Sequence, residues 1–481
     1  MISRSSINLL VMARIILKTI DELTFRSHAE DYSKEILKEY KILANYNNRV
    51  KNLFSTLNRT SLEKLSNRAA ALDATYQPVN FSNYHLLECE EADAIELLQK
   101  LRDNAHISWA YLDDNYSIAP NIEPGKKPLA CYQGYLRNAP EGIGVSHAWK
   151  RKGGRGDSSI KFVDIEQGWI FDHESLNLQR IPHTGINYVP ASDHGAGVMG
   201  IIMMRDGGSG GIGITPLVKG SVMSLYRPNG IFNTPDAIVS ALQFLDPGDI
   251  LLLECQALDL GNKFHLWPIE IRQANFDVIR LATALGITVI EPSGNGNINS
   301  STGNCLDHYM NTAGQMVLNR NHPDFKDSGA IMVAAAYSDV PHHKIYYTNY
   351  GNRVDCYAWG ENILTAGLHP KSSGMANNTY THQFGGTSGS AAIVAGVAIA
   401  LQSMMEANHH CRLYPKQMRE VLGSLCYGTE SGLGRDVDRI GMMPDLEKIT
   451  RDFVDKFDST EAAIPLKQYK IEMPSRYDEA V

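Results

Sequence analysis

Ser388 stands in Gly385-Gly386-Thr387-Ser388-Gly389-Ser390-Ala391-Ala392, a tight turn that delivers one hydroxyl to the first turn of a helix. Free N–H groups and the positive end of the helix dipole at that place favour a developing negative charge. His194 opens a second helix of small residues, Asp193-His194-Gly195-Ala196-Gly197-Val198-Met199-Gly200. There the dipole disfavours the imidazolium, which keeps the ring neutral and able to take a proton from a hydroxyl. Asp164 ends the strand-like run Ile160-Lys161-Phe162-Val163-Asp164, and Asn295 lies in the turn Ser293-Gly294-Asn295-Gly296 after another strand. An acid, a base, an amide and a hydroxyl are the parts of a nucleophilic acyl-transfer site. Each alone has a plainer reading: a helix cap, a core histidine, a loop-starting acid and a turn asparagine.

Positioning four such groups requires a rigid frame. From Ile160 onward strand-like and helix-like runs alternate: Leu217-Val218 and Val222 to Leu225, Pro235 to Leu245, Ile250 to Glu254, Glu270 to Leu285, Thr288 to Glu291, Ile331 to Ala336. This alternation predicts a parallel α/β sheet with helices on both faces, whose ligands bind at the carboxyl ends of the strands. The Ser388 helix, rich in Ala, Gly and Val, fits only where other elements approach its backbone closely. Glycines at 195, 197 and 200 each cost about 1 kcal/mol against Ala unless close packing requires them.

Ahead of this domain, Tyr84 to Cys89, Ala92 to Leu101 and Ile107 to Leu112 read as strand, helix and strand, a small α+β unit over 81–118. Residues 1–80 read as a mainly helical extension, with helical spacing over 20–75 and a strand-like start at Met12 to Leu17. Three prolines and a glycine mark a linker at 119–132, the domain that follows spans 133–450, and 451–481 forms a tail. The linker is extended and open to proteolysis.

The composition of this 481-residue chain, 43% hydrophobic and 20% charged, is that of a globular protein of two or three domains. A net charge of −8 gives no basic footprint for nucleic acid or an anionic membrane. Seven scattered cysteines without Cys-x-x-Cys spacing predict neither a disulfide framework nor a zinc site. No run approaches the ~18 uninterrupted apolar residues of a membrane span.

The acid, histidine and serine fall in the chain order of subtilisin. The Asp164 strand, the His194-Gly-x-x-Val-x-Gly helix, the Ser293-Gly294-Asn295 turn and the Gly386-Thr387-Ser388 helix together resemble the subtilisin-like serine peptidases, over roughly 130–450. Ile331 to Ala336 and Tyr347-Thr348-Asn349-Tyr350-Gly351 to Asp355 look like that family too. The resemblance implies Ser388 as nucleophile, His194 as base and then acid, Asp164 as the residue orienting the imidazole, and Asn295 with the Ser388 N–H as oxyanion donors. It also implies protein or peptide substrates paired as an added strand along Leu253, Glu254, Cys255, Gln256, Pro292, Ser293 and Gly294, with Glu254 and Glu291 favouring a basic or polar side chain. The 81–118 unit is similar to the family's N-terminal propeptide, an inhibitor removed by a cut between about 113 and 130. No cofactor is required; structural calcium is common in the family, but no loop here has a readable ligand spacing.

Three positions depart from the family pattern. Ile165-Glu166 stands where Ser or Thr and then Gly usually follow the acid, Ala196 replaces a Thr, and Ala392 replaces a Pro. The changed acid motif motivates an alternative, a catalytically silent peptide-binding protein of the same fold. A lipase or esterase is disfavoured, because Gly386-Thr387-Ser388-Gly389-Ser390 lacks the last Gly of that elbow. Relatives are mostly exported while the N-terminus carries no clear export signal, so the compartment is left open.

Overall fold

The computed structural model describes residues 12–20, 49–113, 130–176, 181–206, 210–259, 264–367, 378–458 and 463–465. It divides into two compact units, one built from the N-terminal residues and one containing all the candidate site residues.

The first unit is a four-stranded antiparallel sheet in the order Val50–Asn52, Tyr84–Glu90, Met12–Thr19, Ile107–Leu112. The strand-like start is therefore one of the two inner strands of the sheet, one fold with 84–112, where a separate helical extension over 1–80 was expected. Its Ile15, Ile16 and Leu17 are all buried. The expected helix is Glu91–Arg102, with Ala94, Leu97, Leu98 and Leu101 turned inward at helical spacing. Phe54, Phe81, Tyr84, Trp109 and Tyr111 pack ring to ring in the same unit. Of the helical spacing expected over 20–75, the described residues 49–75 form the helix Arg59–Leu72, but Val50–Asn52 is an edge strand paired with Tyr84–Glu90. Residues 21–48, and the linker with its maturation site apart from 130–132, lie outside the described residues.

The second unit centres on a nine-stranded sheet. Its order is Gly428–Glu430, Met442–Pro444, Cys356–Trp359, Ile331–Ala336, Thr288–Pro292, Ile250–Leu253, Lys161–Glu166, Lys219–Ser224, His183–Thr184. All neighbours are parallel except the first pair. The inner strands are apolar on both sides, as a sheet covered on two faces requires. Helix Gly386–His409 packs on the four strands from Cys356–Trp359 to Ile250–Leu253 and on helix Ser192–Met203. Helices Thr234–Ala241 and Gln273–Ala284 pack on each other and on Lys161–Glu166, Lys219–Ser224 and Thr288–Pro292.

Close approach explains the glycines. A Cβ on Gly197 would run into the Phe384 ring, and one on Gly200 into Thr365 Oγ1. Gly386–His409 is long and apolar enough to cross a bilayer by composition, but its residues are almost all covered by the protein around it. The expected tail is in part a structural member: Val454 is buried at the end of the helix Ile449–Val454, and Ile464–Pro465 pairs with Cys411–Arg412.

Candidate active site

The strand expected to stop at Asp164 continues to Glu166, because its backbone stays paired on both sides. Ile165 lies opposite Met223 and Leu253, and Glu166 opposite Ser224. Two residues along a strand share a face, so Asp164 and Glu166 point the same way. The outer one meets the histidine: His194 Nδ1 is 2.6 Å from Glu166 Oε2, with both side chains buried. Glu166 Oε1 accepts the Gln167 N–H at 3.2 Å. Asp164 is turned away, its Oδ2 accepting the Trp169 indole N–H at 2.7 Å. The carboxylate on the imidazole is thus Glu166 in place of the expected Asp164, a correction that follows from two more residues of strand. With Glu166 in the acid's place, Gln167-Gly168 supplies the glycine that the motif wants next but one.

Electrostatics separates the two acids. Burial, and then the Glu166 charge, raise the Asp164 carboxyl well above its usual range, which favours its neutral form. For His194 burial opposes the charged form most strongly, but the charge and hydrogen bond of Glu166 outweigh it, and the imidazole is pushed up to about 9.

Ser388 lies half-buried in the first turn of its helix. Gly386 approaches with φ 78°, a conformation that favours glycine, and its N–H donates to Gly360 O at 2.8 Å. Asn295 is brought against this turn. Its Oδ1 accepts the Thr387 N–H at 2.9 Å and the Thr387 hydroxyl at 3.0 Å, and its own N–H donates to Gln256 Oε1 at 3.0 Å. With the carbonyl committed, the Nδ2 amide remains as donor to a ligand beside Ser388.

A residue outside the expected set holds the Asn295 turn. Asn349 Nδ2 donates to Ser293 O at 2.6 Å and Leu266 O at 2.8 Å, while its Oδ1 accepts the Asn304 N–H at 2.8 Å. Gly294, at φ 94°, passes close to the Asn349 amide. Its one sequence signal was membership in the family-like stretch from Tyr347.

Ser388 and Asn295 share a cleft of about 350 Å³ with Gln256, Tyr347, Glu361 and Gln383 in its walls. Of the expected substrate residues, Gln256 lines it; Leu253, Glu254, Cys255, Pro292, Ser293 and Gly294 are buried. Glu291 is not in this cleft. It is buried and accepts the Glu270 N–H at 3.0 Å, next to the Arg353–Glu270 pair. Among the described residues no group of three or more His, Cys, Asp or Glu side chains is arranged to hold a metal ion.

A buried histidine on an acid at the end of one parallel strand, with a serine opening the helix that crosses the sheet, defines a subtilisin-like serine peptidase fold. Residues 256–426, which carry Asn295 and Ser388, match the model of the subtilase family. That match supports a serine-type endopeptidase. No curated protein matches the chain. Among solved structures, fervidolysin from Fervidobacterium pennivorans, a keratinolytic enzyme related to subtilisin, is similar at 16% identity and a TM-score of 0.53. That similarity covers 91% of this chain, which spans 61% of fervidolysin's length. A protease from Pseudoalteromonas arctica is similar at 18% identity, over 67% of this chain and 97% of its own, with a TM-score of 0.47. The prenylagaramide maturation protease PagA is similar at 19% identity, over 64% and 97%, with a TM-score of 0.43. At 16% identity the likeness to fervidolysin is one of fold.

Proposed function

We propose that the chain hydrolyses peptide bonds through a Glu166–His194–Ser388 triad and an acyl-enzyme. His194 takes the Ser388 proton as Oγ attacks the carbonyl and returns it to the leaving amine. Glu166 fixes the ring and stabilises its cation. Asn295 Nδ2 and the Ser388 N–H hold the oxyanion. The observation that carries this reading is the 2.6 Å contact between His194 Nδ1 and Glu166 Oε2. It gives a role to Glu166, part of the changed acid motif that motivated the silent alternative.

The N-terminal α+β unit is, on this reading, a propeptide that blocks the site until the chain is cut between about 113 and 130. Its four-stranded sheet with a helix supports that role only by likeness.

Treatment of the purified chain with a fluorophosphonate probe, followed by mass spectrometry of the labelled residue and of the N-terminus, tests both. Label on Ser388, lost in Ser388→Ala, with a new N-terminus in the linker is the expected result. Equal label in Ser388→Ala would overturn the assignment of the nucleophile.

A further inference from the structure

Glu254 follows the strand Ile250–Leu253, and its N–H donates to Ile165 O at 3.0 Å, which stands it beside Glu166. Its side chain is buried and neither carboxyl oxygen has a hydrogen-bond partner of normal geometry. The Ser388 hydroxyl faces it from one helix, His194 from another, and Asp164 and Glu166 from the adjacent strand, with the buried Cys255 thiol next to it in the chain. A buried carboxylate without a protein donor, beside two further carboxyls, is relieved by keeping its proton. Burial is the main cause that raises Glu254 well above its usual range; His194 pulls the other way, Glu166 and Asp164 add to the rise, and Ser388 opposes it weakly.

We propose that Glu254 is a positioning residue for the nucleophile: a neutral carboxylic acid whose O–H turns to Ser388 Oγ and leaves the serine's own proton to point at His194. This rests on the roles given above to Ser388 and His194. A hydroxyl has one proton and two acceptor lone pairs, and a neutral acid donates into a lone pair. An ionised Glu254 can only accept. It would draw the serine's single proton to itself and uncouple nucleophile from base. The site therefore switches off at high pH as Glu254 loses its proton.

The test uses the full chain as wild type, Glu254→Gln and Glu254→Leu. Two quantities are followed against pH: the rate of fluorophosphonate labelling at Ser388, and the infrared carbonyl band of protonated carboxyls. The wild type is expected to lose labelling at alkaline pH. Glu254→Gln, whose amide still donates but cannot ionise, lacks that alkaline limb. Glu254→Leu, with no donor, labels about tenfold or more slowly than Glu254→Gln at its optimum. The carbonyl band weakens in both variants. An alkaline limb unchanged in Glu254→Gln, or a carbonyl band unaltered by the substitution, overturns the proposal. Should Glu254→Leu fail to fold, the Gln variant and the band decide. Absence of label at every pH in wild type whose N-terminus has been cut in the linker would instead overturn the peptidase roles, and the band would still report whether Glu254 holds a proton.

Discussion

His194 Nδ1 lies 2.6 Å from Glu166 Oε2, while Asp164, two residues earlier on the same strand face, hydrogen-bonds Trp169. The two acids therefore have opposite sensitivities. Glu166→Gln removes the anion that fixes the imidazole tautomer and stabilises its cation. Turnover is expected to fall by about 10⁴, the loss produced by the equivalent change in a serine peptidase triad. Glu166→Asp draws the carboxylate back by one methylene and loses on the order of 10². Asp164→Asn replaces an acid whose neutral form burial favours, and the amide oxygen still accepts the indole N–H, so kcat is expected to stay within about tenfold. Steady-state kinetics on the three variants checks the order; a larger loss for Asp164→Asn than for Glu166→Gln would reverse the assignment.

The pH dependence follows from the raised imidazole. His194 must be neutral to act as base, so activity rises with pH through its pKa, between the ordinary 6.5 and about 9. The Glu254 charge contributes to the upper figure, so a neutral Glu254 places the limb below it. The same shift acts on stability with the opposite trend. A base whose folded pKa is raised above its unfolded value stabilises the fold fully below about 6.5, and that contribution is lost as pH rises through about 9. Thermal melts across this window are expected to show falling stability while activity climbs.

The frame was legible in the sequence because apolar runs such as Ile250–Leu253 and Ile331–Ala336 leave little choice of state, and small-residue helices announce close packing. The choice between Asp164 and Glu166 was not, because both carboxyls obey the same period-two pattern. What separates them is pairing with Met223 and Leu253, contacts distant in sequence that carry the strand past Asp164. The inner place of Met12–Thr19 escaped for a similar reason: a strand's neighbours are set by long-range register. Asn349 carries no periodic signal at all, since its worth lies in three backbone partners from three different segments.

Asn295 is expected to be a residue of kcat. Asn295→Ala removes the oxyanion amide, and turnover falls by roughly 10²–10³ with KM little changed, the size of the loss when subtilisin is stripped of its own oxyanion asparagine. Thr387→Val keeps the backbone donor to Asn295 Oδ1 but loses the hydroxyl. The amide is then held by one bond fewer, for a smaller loss of about tenfold. Separate kcat and KM values for both variants check the ranking.

Asn349 differs from Asn295 in what its loss leaves behind. Asn349→Ala strips partners from Ser293 O, Leu266 O and the Asn304 N–H, groups in or beside the turn that carries Asn295. Each buried group left unsatisfied costs about 1–3 kcal/mol, so the variant is expected to lose on the order of 3 kcal/mol or more in urea unfolding. The turn also loses its clamp next to Gly294, and a shift of Asn295 by even about 1 Å is enough for a 10²-fold loss of turnover. Stability and kcat should therefore fall together in Asn349→Ala, whereas Asn295→Ala is expected to lose less stability, because it strips partners from the Thr387 N–H and hydroxyl on one residue and not from three separate segments. If Asn349→Ala unfolded as the wild type does while kcat still dropped, Asn349 would be acting on the reaction directly and not through the turn.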